Sequence, residues 1–415
     1  MNSPPSVYRR SKAASSSPVV LSDELISEIL SLLSVKTLMQ MKCVCKSWKT
    51  TISDPSFVKL HLQRSPRNTH LALMPLWSMP DEEMDFSFVP FTISRLVENP
   101  KISIPYNPYY RLKDMDCCQV VGSCNGLICL LDFDLTGKYQ NISLRFWNPA
   151  IKTISDKLGY FSNDRHNCVS EFFRFTFGYD NSSDTYKVVG FCANKVKVFS
   201  LGNNVWRNIQ SFPVVPFGLC AIRHCHPFVN YGVHLSGTIN WLTIRNKTEY
   251  DWNDITIEQF AIVSLDLGTE TYRQLLPPPG FVEVPPVEPS VTALMDCLCF
   301  SYSFKGTYFV LWKMIEFGVQ ESWIQFLKIS YQNLQIDYGI SNWLDVEYDS
   351  QLFLFPLCLS ESSDTLIMAS NQEIYLYAEA IIYNWSDNRV ARTRFNDEIL
   401  WFFAKDYTES LVSPF

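Results

Sequence analysis

Two periodicities divide the chain. From Val19 the spacing of apolar residues is helical: Leu21, Leu25, Ile26, Ile29, Leu30, Leu32 and Leu33 are separated by Ser27, Glu28 and Ser31, and Ser22 followed by Asp23 and Glu24 forms a helix start. At about 100° per residue these apolar side chains sweep from about −40° to about 140° around Leu25, half of the circumference, whereas packing one face on a small core takes little more than ~100°. The helix has apolar surface to spare. A second helical stretch starts at Ser34, runs through Leu38, Met41, Cys45, Trp48 and Ile52, and ends before Asp54-Pro55. A module spanning residues 18–62 is too small for a comfortable core of its own, so it is either a cap on the remainder of the chain or a docking element for another protein.

Beyond Leu62 the helical period stops. Prolines thicken (Pro66, Pro75, Pro80, Pro90, Pro100, Pro105, Pro108), and from Gln119 onward apolar runs of strand length recur between turn signals: Leu127–Leu131, Val188–Phe191, Val196–Phe199, Ile239–Thr243, Ile262–Leu265 and Ile374–Tyr377. A loose repeat is anchored at Trp147-Asn148-Pro149, Trp206-Arg207, Tyr272-Arg273, Trp323 and Asp387-Asn388-Arg389, with 59, 66, 51 and 65 residues between successive anchors. Such periods predict a large all-β domain over residues 63–415, folded as an irregular β-propeller, with a β-sandwich as the alternative.

Composition narrows the function classes. Hydrophobic residues make up 47% and charged residues 19%, which describes a folded chain apart from the Ser/Pro-rich tail of residues 1–17, expected to be disordered. The net charge of −7 splits unevenly: residues 1–64 hold nine Lys/Arg and four Asp/Glu, net +5, leaving −12 for residues 65–415. That balance excludes a general nucleic-acid grip, and no uncharged apolar run reaches the ~18 residues of a membrane span. No secretory leader precedes Val19, which predicts a cytoplasmic or nuclear protein. The 13 cysteines, without a Cys-x-x-Cys pair, then read as reduced residues, and the Asn-x-Ser/Thr matches at Asn141, Asn181, Asn246 and Asn384 as chance.

The front module carries Leu21-Ser-Asp-Glu-Leu-Ile-Ser-Glu-Ile-Leu, then Val35-Lys-Thr-Leu, Lys42-Cys-Val-Cys-Lys-Ser-Trp-Lys and Ile52-Ser-Asp-Pro-Ser-Phe-Val. This resembles the F-box, the motif that ties substrate receptors to the Skp-family adaptor of SCF ubiquitin ligases. The β region is similar to the F-box-associated, kelch-like domain of plant F-box proteins through Val121-Gly-Ser-Cys-Asn-Gly-Leu-Ile-Cys, Trp147-Asn-Pro, Phe177-Gly-Tyr-Asp, Asp184-Thr-Tyr-Lys-Val-Val, Leu235-Ser-Gly-Thr-Ile-Asn-Trp-Leu and Val263-Ser-Leu-Asp-Leu. Self-incompatibility F-box proteins are among its relatives, though no residue singles out that role.

The resemblance implies adaptor contacts from Leu21, Leu25, Ile29, Leu30, Val35, Leu38, Val44, Cys45 and Trp48, some of which must instead be F-box core. Through the adaptor it implies the cullin and RING subunits, and an unidentified target protein on the β domain. Prolines usual in the family are replaced by Ser22 and Ser34, both able to cap a helix, so the helix starts survive while adaptor affinity could fall.

The residues themselves offer little chemistry. Asn125-Gly126 between apolar runs is a hairpin signal, and Asp132-x-Asp134-x-Thr136-Gly137 lacks the closing Glu of a calcium loop, with Ser143 at that position. His224-Cys225-His226 near Cys220 has no second Cys/His pair at zinc spacing, and Pro277-Pro-Pro-Gly reads as a rigid loop. No cofactor or metal is expected. The expected function is that of a noncatalytic substrate receptor; the alternatives are an enzyme built on a propeller and a protein- or sugar-binding domain outside a ligase, its adaptor affinity weakened.

Overall fold

The computed structural model describes residues 21–65, 70–74, 76–78, 84–86, 88–102, 118–134, 139–164, 173–192, 195–214, 216, 232–245, 252–336, 352–360, 362, 364–371, 379–393 and 399–415. The chain divides into two units, Met1–Arg64 and Ser65–Phe415.

The first unit is four helices: α1 (Asp23–Leu30), α2 (Val35–Met41), α3 (Lys46–Ser53) and α4 (Pro55–Arg64). Ser22 and Ser34 cap α1 and α2, their hydroxyls accepting from the Leu25 and Thr37 N–H groups at 3.3 Å each. The single stretch expected from Ser34 to Ile52 is instead two helices. Lys42–Val44 form a turn, Cys45 is extended (φ −155°, ψ 165°), and its sulfur accepts from the Trp48 N–H at 3.4 Å, so the chain restarts a helix there. Periodicity did not predict α4. It is held to the end of α1 by His61 Nε2, 2.9 Å from the Leu33 carbonyl, and by Arg64, which donates to Ser31 Oγ at 2.6 Å and pairs with Glu28 at 2.6 Å.

The second unit begins with β1 (His70–Leu73), the hairpin β2 (Leu76–Ser78) and β3 (Met84–Phe86), then β4 (Val89–Thr92) and the short helix α5 (Ile93–Glu98), an exception to the all-β expectation. Five antiparallel meanders come next. The first is β5 (Cys118–Cys124), β6 (Leu127–Asp134), β7 (Tyr139–Asn148) and β8 (Thr153–Ile154), with β9 (Leu158–Asp164) also on β7. The second is β10 (Arg174–Asp180), β11 (Thr185–Cys192), β12 (Lys195–Ser200) and β13 (Val205–Ile209). The third is β14 (Val233–Leu235), β15 (Thr238–Ile244), β16 (Phe260–Asp266) and β17 (Tyr272–Leu275). The fourth is β18 (Ser290–Leu294), β19 (Cys297–Phe304), β20 (Tyr308–Met314) and β21 (Trp323–Ser330). The fifth is β22 (Leu354–Leu359), β23 (Thr365–Ser370), β24 (Glu379–Asn384) and β25 (Arg389–Arg392).

The last strand, β26 (Lys405–Tyr407), returns to the first: His70 lies opposite Tyr407 on one side and Thr92 on the other, giving a sixth sheet in the order β26-β1-β4. The leading strands β5, β10, β14, β18, β22 and β26 are neighbours in that cyclic order, β26 closing on β5. Six buried apolar clusters occupy the six gaps between adjacent sheets. This is a six-bladed β-propeller, and the sandwich alternative is excluded. Its second strands are covered on both faces, so β15 and β23 are buried at every residue and read as continuous apolar runs instead of alternating ones.

The loose repeat has a physical origin. Each of its five anchors lies at or beside the connection from the third to the fourth strand of a blade. Three of the aromatics reach back to main-chain oxygens of the preceding blade: Trp206 Nε1 to Gly159 at 2.5 Å, Tyr272 Oη to Gln210 at 2.9 Å and Trp323 Nε1 to Leu276 at 3.3 Å. Trp147 packs into the cluster between the closing blade and the first. The expected strands at 127–131, 188–191, 196–199, 239–243 and 262–265 all lie inside observed strands, while Ile374–Tyr377 falls outside the described residues.

Candidate functional site

On the helical unit the expected docking residues separate into two sets. Leu30, Val35 and Leu38 are buried, with Ile52 and Phe57, as the core of the unit. Leu21, Leu25 and Ile29 are exposed by 47%, 53% and 53%. Val44 and Cys45 are exposed as well, and Trp48 is half-buried. The wheel of α1 accounts for the division: positions between about −40° and about 40° around Leu25 (Leu21, Leu32, Leu25, Ile29) face outward, and those between about 80° and about 140° (Leu33, Ile26, Leu30) turn inward. Leu32, exposed by 75%, belongs with the outward set although it was not among the expected contacts. Burying these outward leucines and isoleucine in a partner, with Val44, would recover about half of ~1.5–3 kcal/mol each, or ~4–8 kcal/mol gross before association costs.

On the propeller, the sequence blocks shared with the F-box-associated domain act as fastenings between blades. Asn125 (φ 51°) and Gly126 (φ 81°) make the hairpin turn between β5 and β6, and a Cβ at Gly126 would lie 2.2 Å from Ser410 Oγ, so the C-terminal segment passes directly against this turn. Asn148 clamps the same segment. Fully buried, its amide donates to the Ser410 and Val412 carbonyls at 3.0 and 2.8 Å, while its oxygen accepts from the Ala150 N–H at 3.0 Å.

Between the second and third blades, buried Lys187 donates to Asp180 at 2.8 Å and to the Leu267 carbonyl at 2.5 Å, with Glu270 at 3.7 Å. Arg207 engages Glu270 with both terminal nitrogens. Burial acts to raise the Asp180 carboxyl; donors from Lys187, Ser183 and Ser182 outweigh it and hold the group well below the usual carboxylate range. His234 on β14 spans three blades: Nε2 is 3.1 Å from both the N and O of Tyr179, and Nδ1 is 3.6 Å from Cys124 Sγ. Desolvation lowers its pKa to about 4, so the imidazole is neutral and braces the blades. Gly178 makes room for it, since a Cβ there would lie 2.5 Å from the imidazole Cδ2.

The other candidate chemical groups resolve into structural roles or lie outside the described residues. Asp132 is buried beside Lys157 (2.9 Å) and Arg145 (3.7 Å), and residues 135–138 of that run lie outside the described residues. Gly280 of the Pro277-Pro-Pro-Gly loop lies under Trp312, and its carbonyl accepts from Tyr302 Oη at 2.8 Å. The His224-Cys225-His226 run and Cys220 lie outside the described residues. Among the described residues no group of three or more His, Cys, Asp and Glu is placed to hold a metal ion, and no helix is long and apolar enough to cross a membrane.

Fold and surface define a protein of two units, a four-helix unit with an open apolar face joined to a six-bladed propeller. The chain belongs to the family of F-box proteins with an F-box-associated β-propeller: the F-box domain matches residues 20–60 and the F-box associated beta propeller domain residues 82–414. Among similar proteins of Arabidopsis thaliana, F-box/kelch-repeat protein At3g23880 is 29% identical over 75% of this chain and 80% of its own length. F-box protein At5g10340 is 27% identical over 65% of this chain and 60% of its own, and F-box protein CPR1 is 26% identical over 72% and 70%. F-box domains in general bind Skp-type adaptors, and F-box proteins are in general noncatalytic.

Proposed function

We propose that this protein is the substrate receptor of an SCF-type ubiquitin ligase, docking a Skp-family adaptor through the F-box and presenting a target protein on the propeller. The observation that supports this most is the outward sector of α1: four large apolar side chains, each about half exposed or more, stand on and beside an eight-residue helix whose opposite sector already fills the core. Exposed apolar residues grouped on one face mark a docking surface. Leu21, Leu25, Ile29 and Leu32 form the main contact, Val44 and Cys45 extend it, and Trp48 contributes an edge. Leu30, Val35 and Leu38 act indirectly by holding the face in shape. The cullin and RING subunits join through the adaptor. The receptor supplies placement, since tethering raises the effective concentration of target near the conjugating enzyme.

The test is a binding titration of the full chain against a Skp-family adaptor. Leu25→Ala/Ile29→Ala should reduce affinity at least tenfold while leaving the unfolding midpoint of the protein within a degree. Equal affinity for wild type and double variant would overturn the docking assignment. Absence of binding by the wild type would favour a protein- or sugar-binding domain acting outside a ligase.

A further inference from the structure

The four acids of the helical unit are all committed to helix starts or to Arg64. Glu28 pairs with Arg64 at 2.6 Å. Asp54 accepts from the Ser56 N–H at 2.9 Å and from the Ser56 hydroxyl where α4 begins. Asp23 and Glu24 stand in the first turn of α1, the helix end that favours acids. The lysines around the junction of α2 and α3 are left uncompensated: Lys42 closes α2, Lys46 opens α3, Lys49 follows within the next turn, and none of the three makes an ion pair or a side-chain hydrogen bond among the described residues. Their positions are also mutually unfavourable. The N-terminus of α3 carries partial positive charge, yet its first turn holds no acid and its first residue is a lysine. Lys46 and Lys49, three residues apart on one helix, are neighbours on its surface. Lys42 is half-buried, and burial together with the charge of Lys49 lowers its pKa, so the cations stand close enough to repel one another. Lys46, Lys49 and the intervening Cys43, Val44 and Cys45 are exposed, which opens the cluster to a partner.

Three converging cations flank Val44, Cys45 and Trp48, which extend the apolar face of α1, so whatever covers that face also meets the lysines. A charged rim around an apolar contact sets the sign of the partner and the rate at which it is found. We propose that Lys42, Lys46 and Lys49 form a basic edge of the docking face that receives an acidic protein surface, so that the adaptor presents carboxylates opposite the junction of α2 and α3. This rests on the receptor reading and adds to it the chemistry of the partner. A chain of net charge −7 with apolar Val44 set among only three lysines is a poor grip for nucleic acid, whose binding grows with the number of phosphates neutralised.

The experiment is a titration of the full chain against a Skp-family adaptor at two salt concentrations. Wild type should bind about tenfold more tightly in ~50 mM than in ~500 mM sodium chloride, because the higher salt screens surface charge pairs. Lys42→Gln/Lys46→Gln/Lys49→Gln should lose about tenfold in affinity at ~50 mM and less than about twofold at ~500 mM, with no fall in its unfolding midpoint. As a control, Arg9→Gln/Arg10→Gln/Lys12→Gln removes the same number of charges from elsewhere in the unit and should stay within about twofold of wild type. Salt-independent binding by wild type, equal affinity of the lysine variant at low salt, or an equal loss in the control would each overturn the proposal while leaving adaptor docking intact. Absence of adaptor binding by wild type at both salt concentrations would instead overturn the receptor reading, and this inference with it. An oligonucleotide that binds wild type more tightly than the adaptor does, and does not bind the lysine variant, would assign the cluster to nucleic acid and overturn the proposal. The salt dependence of wild type alone decides if the lysine variant does not fold.

Discussion

The F-box and the propeller treat apolar surface in opposite ways. In the propeller, every blade is covered by two neighbours, and the ring is closed by pairing residues 70–72 with residues 405–407, so each of six gaps holds its own apolar cluster. In the F-box, the same kinds of side chain are shared between a core and an open sector of α1. The closed ring places most of its apolar side chains in the gaps between blades, with others such as Tyr160, Val282 and Ile315 left exposed; the small helical unit cannot close on itself and leaves an apolar sector of α1 open.

The most severe disruption of the closed half would uncouple the second and third blades. Asp180→Ala would leave Lys187 buried without its carboxylate and remove the cap of the turn at Ser182 and Ser183, costing about 3–5 kcal/mol of unfolding free energy by denaturant titration. Adaptor binding should be unchanged. A cost below ~1 kcal/mol would show that the network does not hold the blades together.

Next in size is a contrast inside the F-box. Leu38→Ala, at a fully buried position, should destabilise the helical unit by about 2–5 kcal/mol, whereas Leu25→Ala, half exposed, should change stability by no more than about 0.5 kcal/mol while weakening the adaptor complex. Equal stability costs at the two positions would remove the distinction between core and face on which the docking set rests.

The sequence showed half of that distinction. The half-circle arc of α1 announced surplus apolar surface, but which half turns inward is decided by α2, α3 and α4, and α4 itself was not visible because Phe57, Leu60 and His61 give only a weak stripe. Capping by Ser22 and Ser34 was legible because it is local, as was the turn at Asn125-Gly126. The repeat was legible because an aromatic at the entry to the fourth strand bonds the preceding blade. The closure of the ring was not, since it pairs strands far apart in the chain, His70 with Tyr407, and β26 is only three residues long. For the same reason His234 carried no signal: it owes its environment to other blades.

A smaller effect tests the polar side of the propeller. His234 is held near pKa 4, below its ordinary value of 6.5, so the unfolded chain binds the proton more readily than the folded one between those limits. Stability should therefore be fully present above pH 6.5 and fall as the pH drops toward 4, by at most about 1.4 kcal/mol per unit from this group. His234→Gln keeps a side chain that can bond the Tyr179 backbone and does not titrate, so the difference between wild type and variant should shrink steadily on acidification across this window. A difference independent of pH would mean that burial does not suppress protonation of the imidazole.

The finest effect concerns Ser22 and Ser34, the two serines that cap α1 and α2. Each caps a helix that presents or supports the docking face, with a single hydroxyl accepting a single N–H. Ser34→Ala should cost about 0.5–2 kcal/mol and Ser34→Gly only a few tenths, because glycine leaves the end groups open to water. The comparison with proline is more telling. Ser22 and Ser34 have φ of −68° and −62° with ψ of 153° and 152°, values a proline ring adopts without strain, so Ser22→Pro/Ser34→Pro exchanges the capping bond for a stiffer chain. If the serines weaken docking by leaving the helix starts loose, the double variant should bind the adaptor more tightly than wild type with little change in unfolding free energy. If capping already fixes the starts, affinity should stay within twofold, and the outward leucines alone would set the strength of the complex.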